Sequence, residues 1–389
     1  MNVGIDAIHF YSSNYFMDLR TLAGVRNVDP DKYTVGIGQE KMAIPPPDED
    51  IITMAASAAH PLIERDGKDN IELLLFATES GIDQSKAGGI FVHGLLDLPA
   101  RCRVVELKEA CYSGTAALQL ACSAVARNPK TRALVIAADV ARYELASPGE
   151  PTQGCGAVAM LVTANPRILA IDPEVGLFTS DVMDFWRPNY RDQAVVDGKY
   201  STRVYLQALQ DCWKQYCEES GRGFSDIHRF CYHLPFTRIA EKAHERLARA
   251  SGVTVTPEQI AQQVGISLDY NKIMGNSYAA SLYVGLCCLL DNEMEDLSAK
   301  RIGLFSYGSG CVAEYFSGVV QSGYRDRLLT DSHHVLLENR TELTYRQYED
   351  IYNLAFPTDG GGHTFSRYRT GGYRLAGVKD HKRLYEAVL

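Results

Sequence analysis

The sequence predicts a layered α/β protein, α-β-α-β-α, assembled from two similar halves. Three observations carry this. Apolar strand-like runs alternate with helical stretches rich in small residues, which argues for helices on both faces of a sheet. The run Ile71-Glu-Leu-Leu-Leu-Phe-Ala-Thr78 is almost continuously apolar, as expected of a strand covered on both sides. Three features of the first half then recur, in the same order, in the second. The strand ending at Glu79 is matched by Arg229-Phe-Cys-Tyr-His233, and the stretch that starts at Cys111 by the one that starts at Asn276. Gly154-Cys-Gly-Ala-Val-Ala159 is echoed by Gly308-Ser-Gly-Cys-Val-Ala313 at four of six positions. The spacings between these features differ by amounts that surface-loop insertions accommodate. The duplication divides the chain into residues 1–165 and 166–389.

Taken in order, Val3–Phe10 reads as an opening strand, Asp18–Ala23 as a helix and Asp29–Gln39 as a turn-rich connection. Pro45-Pro-Pro followed by acids marks a helix start. The helix behind it carries Ile51, Met54, Ala55, Ala58, Ala59 and Ile63. The buried strand 71–78 follows, then a short run 103–107. A helix begins at about Cys111, its face traced by Ala116, Ala117, Leu120, Ala121, Ala124 and Val125. So many small side chains predict burial on most sides. A further strand spans Ala133–Asp139, and Gly154–Thr163 has a hairpin-like pattern.

Composition limits the function classes. The chain has 389 residues, 46% hydrophobic and 22% charged, with 39 basic against 48 acidic residues and a net charge of −9. That balance disfavours nucleic acid or an anionic membrane as the main partner. No apolar run is long enough to span a bilayer, and the start MNVGIDAIHFY lacks the features of a secretory signal. Ten cysteines without a CxxC pattern predict reduced thiols in a cytoplasm. The ten histidines are scattered and predict no metal site; no Walker or dinucleotide pattern predicts a nucleotide or flavin.

Chemistry concentrates at Cys111. A thiol in the first turn of a helix meets unpaired N–H groups and the positive end of the dipole, so its thiolate is expected near neutrality. Pseudo-twofold packing of the halves would bring strand ends and helix starts together, and with them Glu79, Cys111, His233 and Asn276. A cysteine with a distant histidine and asparagine suits a thiol nucleophile, and a carboxylate adds a base for proton abstraction. Cys155, Cys311 and the Trp186 region read as packing, and Arg238 and His244 as plain surface. A purely binding module leaves the four-residue convergence without a purpose.

The motifs VDPDKYTVGIGQ (28–39), FATESGID (76–83), KEACYSGTAALQLA (108–121), EPTQGCGAVAM (150–160), Val182-Met-Asp-Phe-Trp-Arg-Pro188, VDGKYS (196–201), YHLPFTRIAEKA (232–243), GNSYAASLY (275–283) and LFSYGSGCVAEYFS (304–317) resemble bacterial-type 3-hydroxy-3-methylglutaryl-CoA synthases, of the thiolase-like superfamily. The resemblance runs from about residue 3 to 323; the last sixty residues, with Asp359-Gly-Gly-Gly-His363, add little to it. It implies a duplicated thiolase-like fold, a homodimer, and condensation of acetyl-CoA with acetoacetyl-CoA on the mevalonate route to isoprenoids. CoA would enter only as part of the substrates, with no other cofactor. The implied roles are nucleophile for Cys111, base for Glu79, acid or polarising group for His233, and holder of the acetoacetyl carbonyl for Asn276. Backbone N–H groups of Cys111 and Ser309 would form an oxyanion hole, Lys242 would meet CoA phosphates or the product carboxylate, and Asp29, Lys32, Tyr143, Thr152 and Ser201 would be further substrate contacts. Related enzymes that β-branch acyl-carrier-protein substrates share the Cys-Glu-His set. Ketoacyl synthases and thiolases of this fold lack the carboxylate, so Glu79 tells against them.

Overall fold

The structure, a computed structural model, describes residues 1–388. Nine strands form one continuous sheet: β1 (Val3–Tyr11), β2 (Ile71–Ala77), β3 (Arg103–Leu107), β4 (Arg132–Ala141), β5 (Gly154–Ala164), β6 (Leu169–Thr179), β7 (Arg229–Tyr232), β8 (Arg301–Gly308) and β9 (Val312–Val320). Their order is β7-β8-β9-β6-β1-β5-β4-β2-β3. Within the first half β2 is parallel to β4, β4 antiparallel to β5, and β5 antiparallel to β1. The second half repeats this pattern with β7, β8, β9 and β6. Only β3 has no counterpart. The halves meet where β1 and β6 pair at just Gly4↔Ala170 and Ile5↔Leu169.

Five principal helices complete the layers: α1 (Ile51–Asp66), α2 (Ser113–Arg127), α3 (Gly198–Ser220), α4 (Arg238–Ala250) and α5 (Ser281–Asn292). Alternation along the strands decides which helix each side chain meets. In β2, Leu73, Leu75 and Ala77 pack toward α2 and α5, whereas Leu74 and Phe76 pack toward α1. The α2–α5 layer also receives Ile302, Leu304 and Phe316 from the second half, so one central core serves both. On the outer side of that half, α3 and α4 cover Phe230, Tyr232, Phe305 and Tyr315. The layers therefore run α1, first-half strands, α2 with α5, second-half strands, α3 with α4.

Local signals explain the ends. Asp50 caps α1 through the Ile52 and Thr53 amides, and Thr53 returns a bond to the Asp50 amide. The first short helix is Leu19–Arg26 with Asp18 as its cap, and one helical turn, Asp31–Thr34, interrupts the connection expected over 29–39. Residues 154–164 form a single strand rather than a hairpin, because both edges are occupied by β1 and β4. Helix α2 starts at Ser113, leaving Cys111 in the preceding loop, and Leu120 is 51% exposed, so one face of α2 is open. His244, expected at the surface, is buried on α4 between Tyr232 OH and Gln263. The tail adds a three-stranded sheet, His363–Thr364, Tyr373–Lys379 and Lys382–Ala387, anchored by a buried Arg374–Asp48 pair.

Two glycines allow the halves to interlock. A Cβ on Gly154 would lie 2.6 Å from the Met274 carbonyl oxygen, beside the Asn276 loop. One on Gly308 would lie 2.5 Å from the Glu109 carbonyl oxygen, beside the Cys111 loop. Backbone occupies both spaces and cannot yield easily. Gly308→Ala is therefore expected to cost about 1–3 kcal/mol of stability by overpacking, measured as a lower urea midpoint at unchanged slope.

Candidate active site

The C-terminal ends of β2 and β4 set the position of the first carboxylate. Asp139, near the end of β4, is fully buried. Its Oδ1 accepts from the Thr78 hydroxyl (2.8 Å) and from the Glu79 and Ser80 amides (2.9 and 3.0 Å), fixing the chain that leaves β2. Its Oδ2 accepts from the Ala279 amide at 3.1 Å, a donor from the other half. Glu79 then faces the loop between β3 and α2, where Cys111 Sγ donates to Glu79 Oε1 at 3.1 Å. Ala110, just before the cysteine, adopts φ +42°, an uncommon conformation for a residue with a side chain. Arg187 donates to the Glu79 carbonyl oxygen from the opposite wall.

Desolvation and charge work against ionising this pair. Burial, then the Asp139 charge, raises Glu79 to about 8. Burial, then Glu79, pushes the Cys111 thiol well up. This corrects the expectation of an accessible thiolate: Cys111 lies before the helix, and its nearest ionisable neighbour is an acid. The thiol gains a proton acceptor instead. Tyr143 and Tyr278 are buried beside it and, with the partly buried Phe185, form an aromatic wall with ring centroids 5.8–6.5 Å apart.

The second half contributes through one short strap, Asn276–Ser281. Asn276 Oδ1 accepts from the Tyr278 amide at 2.8 Å, and the Asn276 amide donates to the Thr152 carbonyl at 3.3 Å. Ala279 supplies the bond to Asp139, and Ser281 Oγ lies 2.8 Å from His233 Nδ1. His233, just beyond β7, is buried, and burial lowers its pKa to about 3, so the ring is neutral at ordinary pH. Its backbone is held by the Phe305 carbonyl and the Tyr205 hydroxyl.

The remaining candidates lie at varying distances from this centre. Ser309 sits in the β8–β9 turn, next to the Gly308 contact with the Cys111 loop. Ser201 spends its hydroxyl on the buried Asp184, which also accepts from Tyr307 OH and the Gly310 amide. Asp29, Lys32 and Lys242 are exposed. Their elements are joined, since the Arg238 amide at the start of α4 donates to the Ile37 carbonyl. Sequence reasoning missed Asp139, Ser281, Arg187 and Asp184. For Asp139 one signal was present, an acid closing an otherwise apolar strand.

The family model for the hydroxymethylglutaryl-coenzyme A synthase N-terminal region matches residues 1–167, and that for the C-terminal region matches 169–251 and 246–358. The chain belongs to this family. It is 43% identical to the hydroxymethylglutaryl-CoA synthase of Enterococcus faecalis over 92% of this chain and 94% of the relative. To a polyketide-biosynthesis 3-hydroxy-3-methylglutaryl-ACP synthase of Bacillus subtilis it is 33% identical, over 90% and 88% of the two chains. A crystal structure of an HMG-CoA synthase complexed with CoA superposes with TM-score 0.94 at 39% identity over the whole of both chains. The duplicated layers described above are thus the thiolase-like fold of these synthases.

Because the folded pKa of Glu79 exceeds its unfolded value, the native protein holds a proton that the unfolded chain has lost between about pH 4.5 and 8. Its stability therefore falls as pH rises through that window. Glu79→Gln removes this liability. The variant is expected to be more resistant to denaturant than the parent at pH 8, by up to about 4 kcal/mol, with the difference vanishing toward pH 4.5.

Proposed function

We infer that the protein condenses acetyl-CoA with acetoacetyl-CoA and water to give 3-hydroxy-3-methylglutaryl-CoA and free CoA, through an acetyl-Cys111 thioester. The observation that carries this reading is the hydrogen bond between Cys111 Sγ and Glu79 Oε1 at 3.1 Å, inside a site that withholds charge from both groups. The fraction of Glu79 that is ionised takes the thiol proton as sulfur attacks the acetyl carbonyl, and the proton leaves with the CoA thiol, returning Glu79 to the carboxylate. On the acetyl-enzyme, Glu79 takes a methyl proton that the thioester carbonyl has acidified. The carbanion forms a C–C bond to the ketone carbon of acetoacetyl-CoA, and the ketone π electrons pass to oxygen. Neutral His233 polarises that oxygen, and the proton held by Glu79 completes the tertiary alcohol. Water then cleaves the thioester: one of its protons restores the thiol, the other passes to solvent, and the new carboxylate is freed. Amides at Cys111 and Ser309 would steady the thioester oxyanion, each worth about 3 kcal/mol.

CoA substrates are preferred over carrier-protein substrates because identity to the CoA synthase exceeds that to the ACP synthase, 43% against 33%. Exposed Lys32 and Lys242, on elements joined to one another, supply cations for CoA phosphates. Asp29, Tyr143, Thr152, Ser201 and Asn276 complete the inferred substrate lining. The chemistry needs no resident metal or cofactor. A homodimer paired along the open edge of β3 fits the exposure of Val105 and Leu120, and a cytoplasmic setting fits ten unpaired cysteines. No helix among the described residues is long and apolar enough to cross a membrane. The product would feed the mevalonate route to isoprenoids.

The decisive assay follows acetoacetyl-CoA loss and thiol release with free CoA removed. The expected outcome is loss that requires acetyl-CoA, with one thiol appearing per acetoacetyl-CoA. Turnover only with carrier-protein thioesters, or loss driven by added CoA, would point to the other members of the fold. Cys111→Ala should lower turnover by about a thousandfold or more. Glu79→Ala should slow condensation by roughly 100- to 10,000-fold, and the acetyl-enzyme should still form but more slowly than in the parent, because the thiol loses its proton acceptor.

A further inference from the structure

His233 can polarise a ketone oxygen only if the nitrogen facing the substrate carries the hydrogen. A neutral imidazole has one such nitrogen, and the bond made by the other selects which. Three observations bear on the choice. Ser281 Oγ is 2.8 Å from His233 Nδ1. The Leu234 amide donates to the same Oγ at 3.3 Å. Ser281 is fully buried, and among the described residues its hydroxyl has no other acceptor in reach than Nδ1. The hydroxyl has therefore already accepted a hydrogen from the backbone and must deliver its own. With a hydrogen on Nδ1 the Ser281 oxygen would accept twice, and its own hydrogen would be left unpaired in the core.

We propose that Ser281 is a positioning residue for the condensation step: its hydroxyl donates to His233 Nδ1 and thereby fixes the imidazole as the Nε2–H tautomer, a hydrogen-bond donor toward the acetoacetyl ketone. This rests on the reaction assigned above. In hydrolase triads a carboxylate orients the histidine and favours a charged ring. A neutral hydroxyl orients it without charging it, which suits a group that polarises an oxygen rather than shuttling a proton. With the opposite tautomer a lone pair would face the developing alkoxide. The placement is rigid, because Ser281 opens α5 while His233 is pinned through its own amide and carbonyl. The same strap carries Asn276 and the Ala279 amide, so the group that aims His233 is part of the segment that clamps Asp139.

Two measurements on the full chain test this. The first is nitrogen-15 NMR of the ring in protein labelled at histidine, with His233→Asn used to assign the signal. A pyridine-type Nδ1 and a pyrrole-type Nε2 are expected in the parent. A hydrogen on Nδ1 overturns the proposal, and this arm needs neither turnover nor a variant of Ser281. The second compares Ser281→Ala and Ser281→Thr in two half-reactions, acetyl transfer from labelled acetyl-CoA to Cys111 and condensation of the acetyl-enzyme with acetoacetyl-CoA. Ser281→Ala should lower kcat for condensation roughly tenfold or more, with the loss absent from acetyl transfer. Ser281→Thr should recover most of it. Equal losses in both half-reactions, or no loss in condensation, would contradict the assignment. Failure of the parent itself to condense the two thioesters would remove the reaction while leaving the tautomer measurement to stand on its own.

Discussion

A single buried carboxylate holds the site together. Asp139 takes three hydrogen bonds on one oxygen from the chain leaving β2 and a fourth on the other oxygen from the strap before α5. With no solvent to share its charge, these four donors are what make its burial tolerable. They also fix where Glu79 can go, and their presence ties the position of the base in one half to the strap of the other. The negative potential of Asp139 then adds to desolvation at Glu79, holding that carboxyl near the pH at which a base can both accept and return a proton.

The same constraint explains the state of the nucleophile. Cys111 is not activated by a helix terminus or a cation; it keeps its hydrogen and passes it to Glu79 when a substrate carbonyl arrives. A protein that wanted a standing thiolate would not place two acids behind it. A thiol paired with a base of raised pKa avoids a permanent buried charge, and the acetylated form leaves Glu79 free to act on the methyl group. The backbone at Ala110, the close approach at Gly308 and the Arg187 bond to Glu79 all serve to hold these two side chains in reach. Such requirements conflict with stability, as expected where polar groups are brought together out of water.

Much of the fold was legible in the sequence because it rests on period and repetition. The apolar strand 71–77, the capped helix after Pro47 and the echo of Gly154 in Gly308 each have local causes, and the repeated strand pattern of the two halves follows from them. Glu79, Cys111, His233 and Asn276 were legible as candidates because they close elements that the duplication brings together. What was not legible depended on contacts far apart in sequence. The direction of the Cys111 shift required knowing that Glu79, 32 residues away, points at it. Ser281 looked like one more small residue of a buried helix, and Asp139 like a strand end, until the structure supplied their partners. The single strand at 154–164 looked like a hairpin because its small residues carry no alternation when both faces are covered.

Isotope-edited infrared titration of the Glu79 carboxyl, in the parent and in Asp139→Asn, tests this arrangement most directly. A protonated carboxyl band that is absent from Glu79→Gln should persist at pH 7, disappear near pH 8 in the parent, and disappear at lower pH once the Asp139 charge is removed. A Glu79 already ionised at pH 5–6, or one whose titration ignores Asp139→Asn, would contradict the account.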